Sequence, residues 1–138
     1  AAKVLKNSWN KKQNFMVINK GSKMLVKKNM GVMHKNNLAG IIYSVSDNFS
    51  TIISLINTNL SGVSAKIKNS GHFGMLNWDG VKFNMMQLHN IPKHADIKIG
   101  DTIVTSGYTS IFPENIGIGV IEKFQLQKKH FQYVLLWY

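Results

Sequence analysis

The chain has 138 residues, of which 44% are hydrophobic, so it can bury a core as one domain or two very small ones and is not a disordered tail. The absence of cysteine excludes a disulfide framework, a thiolate metal site and a cysteine nucleophile. The net charge is +11, and all 17 basic residues are lysine.

The predicted elements are short strands, because apolar or alternating runs are separated by clusters of Gly, Asn, Asp and Ser. In chain order the predicted strands are 15–19, 31–34, 39–46, 51–56, 63–68, 73–77, 81–85, 102–105, 117–121 and 131–137. Turns are predicted at 19–22, 35–37, 47–50 and 78–80, where Asn, Asp and Gly accept the backbone angles of a tight turn. Helical periodicity is nearly absent.

About ten short strands with frequent turns are typical of a sandwich or of small barrels. We predict an all-β fold of two small β-barrels, distantly like the chymotrypsin-type barrel pair. The expected boundary lies near Asn69-Ser70-Gly71. It gives a first barrel at residues 1–69 and a second at 70–138. The last strand closes the second barrel or returns to the first.

Lysine without arginine argues against the recognition of nucleic acid, because proteins that read nucleic acid favour the planar fork of arginine. The sequence is also rich in Asn and Ile, a bias that AT-rich genomes produce. We therefore predict a solvated basic surface. The alternative is a functional basic face toward anionic lipid, an acidic polymer or an acidic partner.

No run of the sequence approaches the roughly 18 apolar residues that a membrane-spanning helix requires. The longest apolar run is 133–138, and there is no signal peptide. If the natural protein is anchored or exported, we expect the anchor to lie in a segment that is absent from this sequence.

Catalytic patterns are weak in this sequence. The six carboxylates and five histidines have no spacing that forces them together or matches a zinc motif. Ser106 precedes Gly107 and lies near Asp101, but it has no G-x-S-x-G surroundings, so we interpret it as a turn residue. The glycine pairs at 71–74 and 117–119 do not continue as a phosphate-binding loop. We predict no catalytic residue, no metal site and no cofactor.

The segment 97–121 has the most informative pattern. Gly100-Asp101 predicts a turn into a strand, which Ser106-Gly107 ends. A loop with three large apolar groups follows: Tyr108, Ile111 and Phe112. Pro113 stiffens the chain, and Gly119 allows a neighbouring backbone to approach the next strand closely.

This segment resembles the signature of the MreC family of bacterial rod shape-determining proteins. The matching motifs are Gly100-Asp101, Val104-Thr105-Ser106-Gly107, Phe112-Pro113 and Ile118-Gly119-Val120-Ile121. The sequence departs from the family pattern where Ile103, Ile118 and Ile121 replace Val, Asn115 replaces Gly, and Gly117 replaces Pro. Upstream motifs match in the same order, at 19–22, 29–32, 38–42, 45–50, 74–76 and 96–101.

The resemblance implies a non-enzymatic scaffold that controls rod shape by organising peptidoglycan synthesis. It implies anchoring in the cytoplasmic membrane by one N-terminal helix absent here, with the barrels on the periplasmic side. The implied partners are a class B penicillin-binding protein of elongation, RodA, MreD and the MreB system, with self-association and without nucleic acid. An alternative function is an anionic-polymer or nucleic-acid binding barrel module.

The residues that we predict to contact a partner are Tyr108, Ile111 and Phe112, because interfaces concentrate aromatic and apolar anchors. The alternative for Ile111 and Phe112 is that they fill the barrel core. Tyr43 and Tyr133 are secondary candidates. The structural signature comprises Gly100, Asp101, Thr105, Ser106, Gly107, Pro113 and Gly119.

Overall fold

The computed structural model describes residues 2–60, 63–92, 97–108, 112–127 and 130–137. Within these ranges the chain forms eleven strands and one 3-10 turn at Ser22–Met24. The strands are β1 Val4–Asn7, β2 Gln13–Ile18, β3 Gly31–His34, β4 Asn37–Val45, β5 Ser50–Asn57, β6 Val63–Ile67, β7 Phe73–Asn77, β8 Met85–Pro92, β9 Thr102–Thr105, β10 Gly117–Gln127 and β11 His130–Trp137. The predicted all-β class is confirmed.

The strands form two groups by their pairing. Strands β1 to β5 follow the order β1-β2-β5-β4-β3, with antiparallel neighbours throughout. Strands β6 to β11 follow the order β10-β11-β8-β7-β6-β9, and β9 pairs again with β10. This second set of pairings returns to its starting strand and therefore closes a barrel, which removes exposed sheet edges.

The two groups meet where β10 lies beside β4. Their one registered pair is Gly117 with Asn37, in parallel orientation. A side chain at Gly117 would meet Oδ1 of Asn37, so glycine leaves room for this side chain in its present position. The predicted boundary after Asn69 stays a prediction; β6, which precedes it, pairs with β7 and β9.

One large apolar core joins both groups. From the first group it takes residues of β4 and β5, among them Leu38 and Leu55, and from the second it takes residues of β6 to β10. Ile18, Ile42 and Ile52 form a smaller cluster in the first group. Because the large core crosses the junction, the groups are held together by packing as well as by pairing.

Two hairpins show how local sequence sets the register. Lys35 and Asn36 both have positive φ, 51° and 68°, which gives the tight two-residue turn that joins β3 to β4. The predicted strand 81–85 is wrong, because residues 78–84 form a loop and β8 begins at Met85. The buried Trp78 donates its indole N–H to the Lys82 carbonyl at 2.7 Å, and this bond stabilises the longer loop.

The described ranges contain no helix of the length and apolar character needed to cross a membrane.

Candidate partner-binding surface

Thr105 fixes the loop that connects β9 to β10. Its hydroxyl donates to the Pro113 carbonyl at 2.7 Å and accepts from the Ile116 N–H at 2.9 Å. Its backbone N–H and carbonyl bond to Ile116 and Asn115 across the same loop. Thr105 is almost fully buried, so these bonds are shielded from water and close the loop from within.

Gly107 brings the outgoing chain against the returning chain. It has φ +73°, and a Cβ atom there would lie 3.0 Å from Cβ of Glu114. The Glu114 carboxylate pairs in turn with the Lys66 ammonium of β6. Glycine at position 107 therefore permits both the left-handed backbone and the close approach of the two halves of the loop.

Ser106 is used as a turn residue. Its hydroxyl donates to Oγ of Ser64 at 2.9 Å and accepts from the Tyr108 N–H at 3.1 Å. The Ser106 backbone N–H donates to the Ser64 carbonyl. These bonds orient Tyr108 relative to β6.

Gly100, Asp101 and Gly119 shape the entry to β9 and its pairing with β10. Gly100 has φ +93°, and the Asp101 carboxylate accepts from the Lys98 N–H at 2.9 Å. The Asp101 carbonyl accepts from the Ile121 N–H. The buried Gly119 pairs with β9 on one side and β11 on the other.

The predicted partner-binding residues lie in different environments. Tyr108 is 75% exposed. Phe112 is only 5% exposed and packs in the large core, which is the second of the two alternatives considered for it. Ile111 lies outside the described residues. Phe112 thus attaches the loop to the core, whereas Tyr108 is exposed to solvent.

Tyr108 stacks on a residue that the sequence interpretation did not select. The rings of Tyr108 and Phe73 lie 5.4 Å apart at 23°, and Phe73 is half exposed. The alternation of residues in β7 indicates that Phe73 is exposed, because Phe73 and Met75 lie on one face of the strand and the buried Leu76 lies on the other. Lys66 pairs directly with Phe73 across the β6–β7 ladder.

We call Tyr108, Phe73, Met75, Lys66 and Glu114 the Tyr108 surface. It combines two stacked aromatic rings, a thioether and one ion pair on a closed barrel. Beside it on β8, burial lowers the pKa of His89, so this histidine is neutral at neutral pH. Among the described residues no group of His, Asp or Glu could hold a metal ion.

A groove of about 830 Å³ lies on the other strand group. It runs between β1 and β3, which in the described part of the chain pair only with β2 and β4. Trp9 and Phe83 both line the groove, with ring centroids 5.5 Å apart. A second aromatic pair, Phe15 and the exposed Tyr43, has the same separation.

Comparisons with known proteins agree with the fold. A relative from Listeria monocytogenes, "Cell shape-determining protein MreC", is 31% identical over 123 residues, which cover 88% of this chain and 41% of that relative. The chain thus spans less than half of the curated relative. A solved MreC structure from the same species is 28% identical, with a TM-score of 0.88 over 99% of this chain and 67% of that one.

Two further solved structures share the fold at lower identity. The crystal structure of MreC from Pseudomonas aeruginosa is 19% identical, with a TM-score of 0.85 over 99% of this chain and 89% of that one. MreC from Helicobacter pylori, solved in complex with Penicillin-Binding Protein (PBP2), is 20% identical, with a TM-score of 0.74 over 88% of this chain and 74% of that one.

Residues 4–136 match the family described as "Rod shape-determining protein MreC, barrel core". The match includes almost all of the chain, and the motifs that carry the resemblance fall within it. The chain therefore belongs to the MreC family of rod shape-determining proteins.

Proposed function

We propose that this chain is a non-enzymatic scaffold of bacterial cell elongation that binds a class B penicillin-binding protein through the Tyr108 surface. Family membership supports the role in cell shape. The H. pylori relative in complex with PBP2 supports a peptidoglycan-synthesis protein as the partner.

The observation that carries the proposal is the exposed stack of Tyr108 on Phe73. Aromatic rings at a protein surface expose apolar area with little conformational freedom, and such residues dominate binding energies. The Ser106 hydroxyl accepts from the Tyr108 N–H and donates to Ser64 of β6, and this restraint lowers the entropic cost of ordering the stack. The Lys66–Glu114 pair supplies a polar rim.

The remaining parts of the proposal rest on the family alone. We propose anchoring in the cytoplasmic membrane by a single segment outside this sequence, with the barrels on the extracytoplasmic side. We also propose self-association and links to RodA, MreD and the MreB system, without nucleic acid.

A binding titration tests the contact surface. We expect Tyr108→Ala and Phe73→Ala to weaken binding of the cognate class B penicillin-binding protein by about 30-fold each, the loss typical of a central aromatic anchor. The dissociation constant is measured by biolayer interferometry with the partner immobilised. Circular dichroism melts establish that each variant is folded.

Tyr43→Ala is the matched control, because Tyr43 is also an exposed tyrosine beside a phenylalanine, but on the first strand group. It should leave the affinity unchanged. Unaltered binding by folded Tyr108→Ala and Phe73→Ala variants would refute the surface assignment. A loss confined to Tyr43→Ala would move the contact to the first group.

The net charge of +11 favours an anionic polymer as the second candidate function. A filter-binding titration against salt separates the two functions. Tight binding to nucleic acid with a steep salt slope would support the anionic-polymer function, and binding only at very low salt would reflect charge alone.

A serine-directed covalent probe tests the enzyme alternative, and we expect no labelling. Labelling that Ser106→Ala abolishes would contradict the proposal of a non-enzymatic scaffold.

A further inference from the structure

The segment of residues 20–30 combines lysines with exposed apolar side chains. Its charged residues are Lys20, Lys23, Lys27 and Lys28, and it contains no acidic residue. It connects β2 to β3 and contains the 3-10 turn Ser22–Met24. We call this segment, together with the β4–β5 hairpin turn at 46–50, the basic tip.

Backbone bonds hold the segment firmly on that hairpin turn. The N–H of Ser22 donates to the Ser46 carbonyl at 2.9 Å, and the N–H of Lys23 donates to the Asp47 carbonyl at 3.1 Å. The Ser50 hydroxyl donates to the Lys20 carbonyl at 2.6 Å. The basic tip is therefore a fixed projection at one end of β2, β4 and β5.

Apolar side chains of the basic tip point in two directions. Val26 is partly buried and packs on the small core cluster, which attaches the segment to the barrel. Met24 and Leu25 are 61% and 77% exposed, and Phe49 on the hairpin turn is half exposed. Three large exposed apolar side chains on one fixed projection are typical of a surface that contacts a protein or a membrane.

Leu25 has no role in the fold that would explain its identity. Its backbone is left-handed, with φ 64°, at the C-cap of the 3-10 turn, a position that glycine fills at lower cost. A leucine at this position raises the energy of the backbone and directs its side chain into solvent. What it offers is an apolar group beyond the protein surface.

We propose that the basic tip inserts into the surface of an anionic lipid bilayer. Met24, Leu25 and Phe49 enter the boundary between headgroups and acyl chains, and Lys20, Lys23, Lys27 and Lys28 bind lipid phosphates. Lysine suits this role because its flexible stem lies along apolar surface while its ammonium reaches the headgroups. Asp47 is the acidic residue of the tip, so the lysines outnumber it.

The residue types favour lipid over a protein partner. Protein interfaces deplete Lys and enrich Arg, Met and aromatic residues. The basic tip has four lysines and no arginine around Met24, Leu25 and Phe49, so its charged residues are those that protein interfaces avoid. The same composition is typical of segments that lie on anionic membranes, where each basic residue adds to the affinity.

Vesicle flotation tests the proposal with the whole chain. We expect binding to vesicles of phosphatidylglycerol and phosphatidylethanolamine and none to phosphatidylcholine. Leu25→Gly should weaken binding roughly tenfold through lost apolar insertion. The double variant Lys23→Gln/Lys27→Gln should weaken it about 30-fold, because two phosphate contacts are lost.

Val81→Gly is the matched control for Leu25→Gly. Val81 is 75% exposed and apolar, but its neighbour Gly80 lies beside Lys12, at the opposite end of β2. Val81→Gly should leave vesicle binding unchanged. Leu25→Gly should keep or raise the melting temperature, since glycine relieves the left-handed backbone, so lost binding cannot be attributed to unfolding.

The absence of cysteine allows a direct test of insertion. A single cysteine introduced by Met24→Cys and labelled with an environment-sensitive nitrobenzoxadiazole dye should give blue-shifted, brighter emission on anionic vesicles. The same label at Val81→Cys should keep the emission it has in water. This pair reports the depth of the tip rather than mere association.

Three results would overturn the proposal. The first is no binding of the unmodified chain to the anionic vesicles. The second is binding that Leu25→Gly and the double lysine variant leave unchanged, which would mean attraction by the total charge alone. The third is intact vesicle binding by Leu25→Gly together with weaker binding to the penicillin-binding protein, which would make the tip a protein contact.

Discussion

The loop between β9 and β10 and the basic tip both carry apolar side chains beyond the sheets, but they are held in opposite ways. Side chains fix the β9–β10 loop: the Thr105 hydroxyl bridges it, and Phe112 is buried beneath it. The basic tip is fixed mainly by backbone bonds to the β4–β5 turn, and its large apolar side chains at 24 and 25 are exposed.

This difference separates side chains that the fold needs from exposed side chains that are available for binding. In the described part of the β9–β10 loop, Thr105 and Phe112 are buried and needed by the fold, whereas Tyr108 is 75% exposed and able to meet a partner. In the basic tip, backbone bonds, the Ser50 hydroxyl and the packing of Val26 define the shape, and the exposed side chains of Met24 and Leu25 take no part in it. Substitutions should therefore have large effects on stability in the loop and small effects in the tip.

The largest expected effect comes from Phe112→Ala. Removing a buried aromatic ring should lower the free energy of unfolding by about 3–5 kcal/mol, through lost burial and the cavity left behind. Leu25→Ala should change it by less than about 0.5 kcal/mol, since that side chain is exposed. Urea denaturation measures both. Equal losses would contradict the distinction between the two segments.

Thr105→Val should have the next largest effect. It keeps the volume of the side chain but removes the hydroxyl, leaving the Pro113 carbonyl and the Ile116 N–H without that partner. We expect a loss of about 2–3 kcal/mol in unfolding free energy. Thr102→Val on the same strand is the control, because Thr102 is exposed and should tolerate the change. Similar losses for both would show that the buried bonds are not decisive.

Two glycine substitutions separate the effect of a positive φ on the free energy of unfolding from the effect of a steric contact. Gly107→Ala combines a positive φ with a close contact to Glu114, and we expect a loss of about 1–2 kcal/mol. Gly100 also has a positive φ, but a Cβ there would meet nothing within 4 Å. Gly100→Ala should therefore cost less, about 1 kcal/mol. Thermal melts give the order, and a greater loss for Gly100→Ala would disprove the steric argument.

The smallest effect should have the opposite sign. Leu25→Gly should leave the free energy of unfolding unchanged or raise it by up to about 1 kcal/mol, because the left-handed backbone favours glycine. Chemical denaturation measured beside Leu25→Ala isolates the backbone contribution. Destabilisation beyond about 1 kcal/mol would mean that Leu25 does support the fold.

Much of the sheet could be predicted from sequence because alternation and turn residues coincide. The predicted strands 31–34, 73–77 and 102–105 have the bounds that the structure gives them. The sequence predicts a strand at 81–85 because Val81 and Phe83 are residue types that favour strands, but in the structure both are exposed loop residues. The Trp78 indole bonds the Lys82 carbonyl within this loop, a contact that periodicity cannot reveal.

The candidate surface could be predicted only in part. Local sequence identified the apolar loop and Tyr108, but it could not rank Phe112 between core and surface, because burial depends on how β9 and β10 pair with distant strands. Phe73 was missed for the same reason: it lies far from Tyr108 in sequence, and only the pairing of β6 with β7 and β9 brings the two rings together.

The place of β11 in the barrel has a consequence for the edges of its neighbours. This strand pairs with β10 on one side and β8 on the other. Without these pairings, β8 and β10 would each present an unpaired edge to other chains. A variant that loses β11 should therefore open the ring and become prone to aggregation.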